Sequence, residues 1–391
     1  MLGATAAGSF GAGVGRTAVP LLAVTALGAT PFEVGVLLAA QTIAFVVIGL
    51  PAGAVVDRVR KRRTMIAMDL LRMGLGAVLL LLWWAGLLGV GALIVLVALI
   101  GCASVFFDVA ALAYLTQLVG RHRLGPANGG LQGVSSATSV GAPVAAGGAA
   151  ALVGAAATTA GVALGYAVSA VLLGRIRHRE PPPEARPWRS VWADTGRGLR
   201  CAVGTPTMRG LALCTAGVNV ALSARAAVLV IFLLELGFGP TEIGIATAAS
   251  GAGGVLAALG PGRVAPANLW WLLVWTQALG ALVPLAAGPG ALTLVCLGMA
   301  VSSYGATRYN LAQLTTGQLA SPPGMLGAVS ASNRFLVWAT LPVGGLLGGA
   351  LGCVLPVTGV LWVTTALQVA AILPLVRLRG HTRSAPWNDP P

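Results

Sequence analysis

The stretch Leu27-Gly-Ala-Thr-Pro-Phe-Glu-Val-Gly35 returns 209 residues later as Leu236-Gly-Phe-Gly-Pro-Thr-Glu-Ile-Gly244, with identical Leu, Gly, Pro, Glu and Gly residues. At the same offset Arg16 aligns with Arg225. A repeat with such a long period indicates that one structural unit occurs twice in the chain. The sequence therefore predicts two related halves.

The composition indicates the environment of both halves. The chain is 57% hydrophobic before its 55 glycines are counted, and only 9% of its residues are charged. Soluble proteins have about 25% charged residues, and no water-soluble fold could bury so much apolar surface. The composition excludes disorder, a disulfide-bonded secreted domain and a collagen-like chain. We expect an all-α integral membrane protein, because apolar runs such as residues 79–84 do not alternate as membrane β-strands do.

The apolar segments have the length of membrane-crossing helices, which need about 20 residues. Twelve spans are predicted, at residues 4–26, 32–56, 64–86, 89–118, 127–152, 156–175, 210–235, 241–261, 268–287, 289–313, 325–351 and 354–376. The repeat divides them into six-helix halves at residues 1–175 and 210–376, with a cytoplasmic linker at 176–209 and a cytoplasmic tail at 377–391. Parallel repeats of this kind form transporters whose two halves rock against each other.

The Lys and Arg residues are concentrated in every second loop between the predicted spans. Five lie between spans 2 and 3, two between spans 4 and 5, eight between spans 6 and 7, one between spans 8 and 9, and three in the tail. Cytoplasmic loops collect Lys and Arg, so both termini are predicted to be cytoplasmic. A nucleic-acid-binding surface would not alternate in this way, and we expect no nucleic-acid partner despite the net charge of +14. No charged segment precedes the first span, which we expect to be retained.

The sequence lacks the motifs of several enzyme and metal sites. It contains no H-E-x-x-H metal motif and no G-x-x-x-x-G-K-[ST] phosphate loop, and its five cysteines have no CxxC spacing. All three histidines fall in predicted cytoplasmic loops. We therefore expect neither an enzyme nor a metal site or other cofactor, and we expect a proton gradient as the energy source.

The loop after span 2 carries a signature. It reads Gly53-Ala-Val-Val-Asp57-Arg58-Val-Arg-Lys61-Arg62 and resembles the loop of the major facilitator superfamily, Gly-x-x-x-Asp-Arg-x-Gly-Arg-Lys/Arg. The positions that fit are Gly53, Asp57, Arg58, Lys61 and Arg62, while Arg60 replaces the second glycine. The resemblance implies that Asp57 caps a helix of the opposite half and holds the cytoplasmic side closed. A carboxylate at a helix N-terminus is favoured by the helix dipole. A solvated basic turn that only sets the topology is the alternative.

Two further regions resemble the macrolide-efflux and enterobactin-exporter-like branch of this superfamily, of drug:proton antiporter type. They are residues 105–128, around helices 4 and 5, and residues 309–345, in helices 10 and 11. The resemblance implies the major facilitator fold, in which helices 1, 4, 7 and 10 line a central cavity and helices 3, 6, 9 and 12 face lipid. Pro143 and Pro342, in glycine-rich surroundings, are candidate helix bends, although packing alone would also explain them.

Charged residues at membrane depth are functional candidates. Asp108 in span 4 is the predicted proton-coupling residue, while Asp69 and Arg72 are placed near the cytoplasmic end of span 3. The predicted substrate-cavity residues are Arg16, Arg225, Arg308, Arg334, Phe107, Tyr114, Tyr309, Asn310 and Gln313. Four arginines against one aspartate favour anionic, zwitterionic or strongly polar substrates. An ion pair between Arg16 and Asp108 that only neutralises itself is an equally open interpretation.

The sequence thus predicts an efflux transporter in a bacterial cytoplasmic (inner) membrane, since its 23 arginines against one lysine suggest a GC-rich genome. The expected cargo is a small molecule such as a secondary metabolite, antibiotic or siderophore, exported by alternating access with proton antiport. The expected partners are this substrate and the lipid bilayer, and we expect a monomer. Alternatives are an importer or uniporter of an anionic metabolite, and a non-transporting membrane sensor on the same fold.

Overall fold

The computed structural model describes residues 1–119, 124–176, 180, 206–260, 266–319 and 326–373, which form helices and turns. The long helices are α1 (Leu2–Thr25), α2 (Pro31–Asp57), α3 (Lys61–Trp84), α4 (Val90–Val119), α5 (Leu124–Val153), α6 (Ala160–Gly174), α7 (Pro206–Glu235), α8 (Pro240–Leu259), α9 (Pro266–Ala278), α10 (Ala291–Leu319), α11 (Leu326–Val354) and α12 (Val357–Ala370). A single turn, Ala155–Thr158, precedes α6, and a 3-10 turn, Leu279–Leu282, continues α9. Each predicted span corresponds to one of these helices. Most of the predicted linker and all of the predicted tail lie outside the described residues.

The repeated sequence stretch forms the turn between the first two helices of each half. Gly28 and Gly237 adopt φ angles of +64° and +81°, which glycine reaches without strain as α1 and α7 end. Before α2, the backbone N–H of Thr30 donates to Glu33 Oε2 at 2.8 Å, and Thr30 Oγ1 accepts from the N–H of Glu33 at 3.3 Å. This capping box explains why a Pro and a Glu follow the glycine at the start of α2.

The helices of the two halves pack in the same pattern. In the first half α1 packs against α5 and α6, α2 against α4, and α3 against α4 and α6. In the second half α7 packs against α11 and α12, α8 against α10, and α9 against α10 and α12. The halves are therefore related by pseudo-symmetry, as the sequence repeat predicted.

Two helix pairs, α2 with α11 and α5 with α8, make the main contacts between the halves. A Cβ atom at Gly35 would lie 3.0 Å from the Cα of Gly349, and one at Gly244 would lie 3.0 Å from the Cα of Gly147. Gly35 and Gly244 are equivalent in the sequence repeat, so both interfaces use the same close approach of backbones. These contacts lie towards the end of the bundle at which α2 and α8 begin, which we call the outer end.

The exterior of the bundle is apolar. Within the described residues, seven stretches are long and apolar enough to cross a membrane, and three shorter apolar helices accompany them. Large hydrophobic side chains such as Trp84, Leu87 and Leu152 are exposed on the surface. The chain is therefore a multi-pass membrane protein. The basic loop before α3 lies at the end of the bundle opposite the outer end, and we call this end the basic end.

Candidate functional site

A buried ion pair lies inside the first half. Asp69 and Arg72, on successive turns of α3, are 0% and 4% exposed, and Arg72 Nη2 donates to Asp69 Oδ1. The Arg72 guanidinium lies 4.2 Å from the ring centroid of Phe107 and 4.3 Å from that of Tyr166, and donates to Ser104 Oγ at 3.3 Å. The cation is therefore held between two aromatic rings.

This pair corrects two expectations drawn from the sequence. Asp69 is the ninth residue of α3 (Lys61–Trp84), about 12 Å along the helix from its start at a 1.5 Å rise per residue. It is therefore buried inside the bundle, so Asp108 is joined by a second carboxylate among the helices of this half. Helix α3 also turns charged residues inward, where Asp69 and Arg72 form an ion pair, instead of only facing lipid.

Asp108 and Arg16 adjoin this buried pair. Both of their side chains are exposed, whereas Tyr166 of α6 is 2% exposed and interacts electrostatically with Arg16, Asp69, Arg72 and Asp108. We call Arg16, Asp69, Arg72, Asp108 and Tyr166, which interact electrostatically through Tyr166, the charged cluster. The accessible members are the residues that the sequence predicted for substrate and proton.

The second half contains a buried arginine in a different setting. Arg225 of α7 is 6% exposed, and its Nη1 has no hydrogen-bond partner among the described residues. The acidic residues between positions 206 and 373 are Glu235, at the end of α7, and Glu242, at the start of α8. Both lie at the outer end of the bundle, so no carboxylate of this half adjoins Arg225.

Arg308 has a helix-capping contact. It is 8% exposed, and its Nη1 donates to the carbonyl oxygen of Ala257 at 3.4 Å, in the last turn of α8. A cation at a helix C-terminus is stabilised by the free carbonyls and the helix dipole. This contact gives Arg308 a structural role at the basic end, beside the predicted role in substrate binding.

Several predicted cavity residues are buried within one half. Tyr114 and Phe107 belong to a hydrophobic cluster of the first half. The Tyr309 hydroxyl donates to the carbonyl oxygen of Leu211 at 2.8 Å and accepts from Thr215 Oγ1 at 3.2 Å. In this conformation these aromatic side chains contribute to packing. Asn310 is exposed and Gln313 is buried, while the side chain of Arg334 lies outside the described residues.

The signature loop contacts its own half. The backbone N–H of Arg62 donates to Glu180 Oε1 at 2.9 Å, and Arg62 Nε donates to the carbonyl oxygen of Leu173 at 2.8 Å. Glu180 was not singled out from the sequence, although it is the first acidic residue after a run of arginines. Lys61 is buried and Arg58 is half-buried, Gly53 lies in α2, and the side chain of Asp57 lies outside the described residues.

The two prolines lie inside long helices. Pro143 and Pro342 are buried in α5 and α11, and both helices continue through them. Near the second, Ser223 Oγ donates to the carbonyl oxygen of Leu341 at 2.7 Å. A role for these prolines in bending stays a prediction.

Metal-ligating side chains are not clustered in the described part of the chain. No group of three or more His, Cys, Asp or Glu residues there could hold a metal ion. The cysteines in the same part are free thiols, namely Cys102, Cys214, Cys296 and Cys353.

Comparisons with known proteins identify the family of the chain and structures with a similar fold. A family model described as Major Facilitator Superfamily matches residues 1–341. A search of curated protein sequences gives no match. The fold is similar to a bacterial homologue of the iron transporter ferroportin in an inward-facing state, with a TM-score of 0.72, 17% identity, and 96% of this chain and 97% of that chain covered.

Two further solved structures have the same fold. The nucleoside transporter NupG matches with a TM-score of 0.72 and 16% identity, covering 96% of this chain and 98% of that one. The peptide transporter PepTSo matches with a TM-score of 0.74 and 13% identity, covering 98% of both chains. At these identities the likeness concerns the fold and not the substrate.

Proposed function

Because the chain belongs to the Major Facilitator Superfamily, we propose that this membrane transporter exports a small anionic or zwitterionic molecule by proton antiport. We place it in the bacterial cytoplasmic membrane with both termini inside, from the alternation of basic loops. Its two halves would alternate access to a central cavity around the α2–α11 and α5–α8 interfaces. The observation that carries the proposal is the buried Arg225, which has no carboxylate of its own half nearby.

The charge balance supports an anionic substrate. The first half has Arg16 and Arg72 against Asp69 and Asp108, whereas Arg225 of the second half has no acidic residue of its half at the same depth. A buried charge without a partner costs several kcal/mol. A substrate that carries a negative group would supply the missing charge, whereas a lipophilic cation would add to the excess.

The proton carrier would be a carboxylate. Arginine does not release its proton in proteins, and the histidines lie outside the described helices. We assign proton coupling to Asp108, because it is an exposed member of the charged cluster, whereas Asp69 is enclosed and ion-paired with Arg72. No bound cofactor is required in this mechanism, since the proton gradient supplies the free energy.

The conformation supports loading from the cytoplasm. The glycine contacts of Gly35 with Gly349 and of Gly244 with Gly147 bring the halves together towards the outer end, while Arg16 and Asp108 remain accessible. We therefore interpret this state as inward-facing. An exporter binds its cargo in this state and releases it after the outer end has opened.

The test is proton flux in proteoliposomes. The purified protein would be reconstituted with a pH-sensitive dye in the lumen and challenged with siderophores and polyketides of both charge signs. Flux with anionic or zwitterionic compounds that vanishes in Asp108→Asn is the expected result. Flux with lipophilic cations alone would refute the charge argument. Substrate movement without proton flux would identify a uniporter, and no movement of any compound would favour a sensor.

A further inference from the structure

A polar site is enclosed in the second half where α7, α9, α10 and α12 converge. Its side chains are Arg225 of α7, Gln277 of α9, Ser302 of α10 and Gln368 of α12. The two glutamines and Ser302 are 0% exposed, and Arg225 is 6% exposed. Four helices therefore bury polar groups in one place, including two helices that the family resemblance assigned to lipid.

Gly280, in the 3-10 turn after α9, marks the centre of this site. A Cβ atom there would lie 2.6 Å from Ser302 Oγ, 3.5 Å from Arg225 Nη1 and 3.8 Å from Gln368 Oε1. Polar atoms from three different helices thus surround one point on the turn. Because Gly280 has no side chain, these polar groups can approach the backbone of the turn closely.

Four buried polar atoms in the site have no hydrogen-bond partner among the described residues. Gln277 Nε2 donates to the carbonyl oxygen of Ser302 at 3.2 Å, which fixes the amide. Gln277 Oε1, both amide atoms of Gln368 and Arg225 Nη1 have no partner within the described residues. Buried polar groups in native proteins are almost always hydrogen-bonded. A group of unsatisfied atoms in one buried site therefore indicates that a further molecule completes it.

The first half contains a buried carboxylate that has no counterpart in the second half. There the arginine of α3, Arg72, is paired with Asp69. At the offset of the sequence repeat, Asp69 corresponds to Ala278 and Arg72 to Ala281. The helix of the second half that corresponds to α3 therefore brings no carboxylate to Arg225. The missing negative charge has to come from outside the half.

From this geometry we propose that Arg225, Gln277 and Gln368 bind an oxyanion, a carboxylate or a phosphate, that carries a hydrogen-bond donor beside its charge. The Arg225 guanidinium and Gln368 Nε2 donate to the oxygen atoms, in the geometry that guanidinium groups favour for oxyanions. Gln277 Oε1 and Gln368 Oε1 accept from the adjacent hydroxyl, amine or protonated oxygen. This inference deepens the proposed function, on which it rests for the role of Arg225 in transport.

The test is binding of defined anions to the purified full-length protein in nanodiscs. Inorganic phosphate and lactate would be the probes, with chloride at equal ionic strength as the reference, because chloride is neither an oxyanion nor a hydrogen-bond donor. The shift of Tm would be followed by tryptophan fluorescence. Wild type should show a saturable increase of Tm with at least one probe. Arg225→Gln should lose the increase, and Gln368→Leu should raise the apparent Kd about tenfold, the equivalent of about 1.4 kcal/mol.

Arg175→Gln is the matched control, because it removes the same charge from the exposed residue that follows α6, in the other half and outside this site. It should retain the saturable increase of Tm. An equal increase in wild type, Arg225→Gln and Gln368→Leu would overturn the proposed site, as would the absence of any saturable effect. If Arg225→Gln does not fold, Gln277→Leu together with Gln368→Leu decides the question through the same titration.

Two further measurements separate this site from the proposed function and identify the source of the anion. Saturable anion binding without proton-coupled transport would refute antiport and leave the site standing. Coupled transport whose KM is unchanged in Gln368→Leu would refute the site and leave antiport standing. Competition between an exported compound and phosphate would assign the oxyanion to the substrate, whereas independent binding would assign it to a free inorganic anion.

Discussion

The carboxylate of Glu180 accepts a hydrogen bond of 2.9 Å from the backbone N–H of Arg62, in the first turn of α3. The Arg62 side chain in turn donates to the carbonyl oxygens of Leu173 and Gly174, where α6 ends. A negative group therefore caps one helix at its N-terminus and a positive group caps another at its C-terminus, which is the arrangement that helix dipoles favour. The contact joins the signature loop to the linker within a single half.

Glu180→Ala tests this contact. Removing the carboxylate leaves the first backbone N–H groups of α3 without this partner, so the free energy of unfolding should fall by about 1 kcal/mol. Proteolysis of the linker should also become faster. Glu180→Gln keeps an acceptor oxygen but removes the charge, and should retain part of the effect. Wild-type stability and cleavage rate in both variants would show that the contact does not hold the linker.

The Asp69–Arg72 pair should show strong coupling in a double-mutant cycle. Arg72→Leu leaves a buried carboxylate uncompensated and should destabilise the protein by about 3–5 kcal/mol in SDS titrations of mixed micelles. Asp69→Leu should have a comparable effect, because it leaves the guanidinium unpaired. The double variant should be more stable than either single variant. Additive losses would mean that the two side chains act independently.

Arg72→Lys is the conservative control. It retains the charge but loses the planar guanidinium that lies between Phe107 and Tyr166. We expect an intermediate loss of stability, since Arg and Lys differ at stacked sites. A stability equal to that of wild type would show that charge alone accounts for the role of Arg72.

The fold was predictable because its signals are periodic. The repeat at Leu27 and Leu236, the apolar spans and the alternating basic loops together predicted twelve helices in two halves. The same capping signals, Gly28 with Glu33 and Gly237 with Glu242, recur in both halves. These signals act over a few neighbouring residues or along single helices, so they can be read without knowledge of tertiary packing.

The candidate site was less predictable because it depends on which faces of the helices meet. Asp69 and Arg72 were placed near the membrane surface, and only the packing of α3 against α4 and α6 brings them inside. Gln277 and Gln368 are uncharged amides on helices expected to face lipid, and nothing in the sequence singled them out. Glu180 resembled a solvated linker residue, because its partner is a backbone N–H 118 residues away.

Asp108→Asn should uncouple transport from the proton gradient. The amide cannot carry a proton between the two sides, so export against a concentration gradient should fall to the background level of empty liposomes. Exchange of substrate at equal concentrations should persist, because it needs no net proton movement. The measurement is radiolabelled substrate flux with and without an imposed pH gradient. Uphill export that persists in this variant would exclude Asp108 as the proton carrier.

The glycine contacts between the halves should control the balance between conformations. A Cβ at Gly35 would lie 3.0 Å from the Cα of Gly349, and neither backbone can yield without moving its helix. Gly35→Ala should therefore separate α2 from α11 at the outer end and shift the population towards an outward-open state. Spin labels at the outer ends of α2 and α11 would report this shift as a longer distance.

Gly49→Ala is the matched control on the same helix, because no atom lies within 4 Å of the position of its added Cβ. Replacing a helical glycine by alanine stabilises an unhindered helix by up to about 1 kcal/mol, so this variant should be at least as stable as wild type with an unchanged distance. Gly244→Ala, the repeat equivalent of Gly35, should open the α5–α8 interface in the same way. If Gly35→Ala and Gly244→Ala both give the wild-type distance, the outer end does not depend on glycine for its closure. The rocking of the halves would then be controlled elsewhere in the two interfaces.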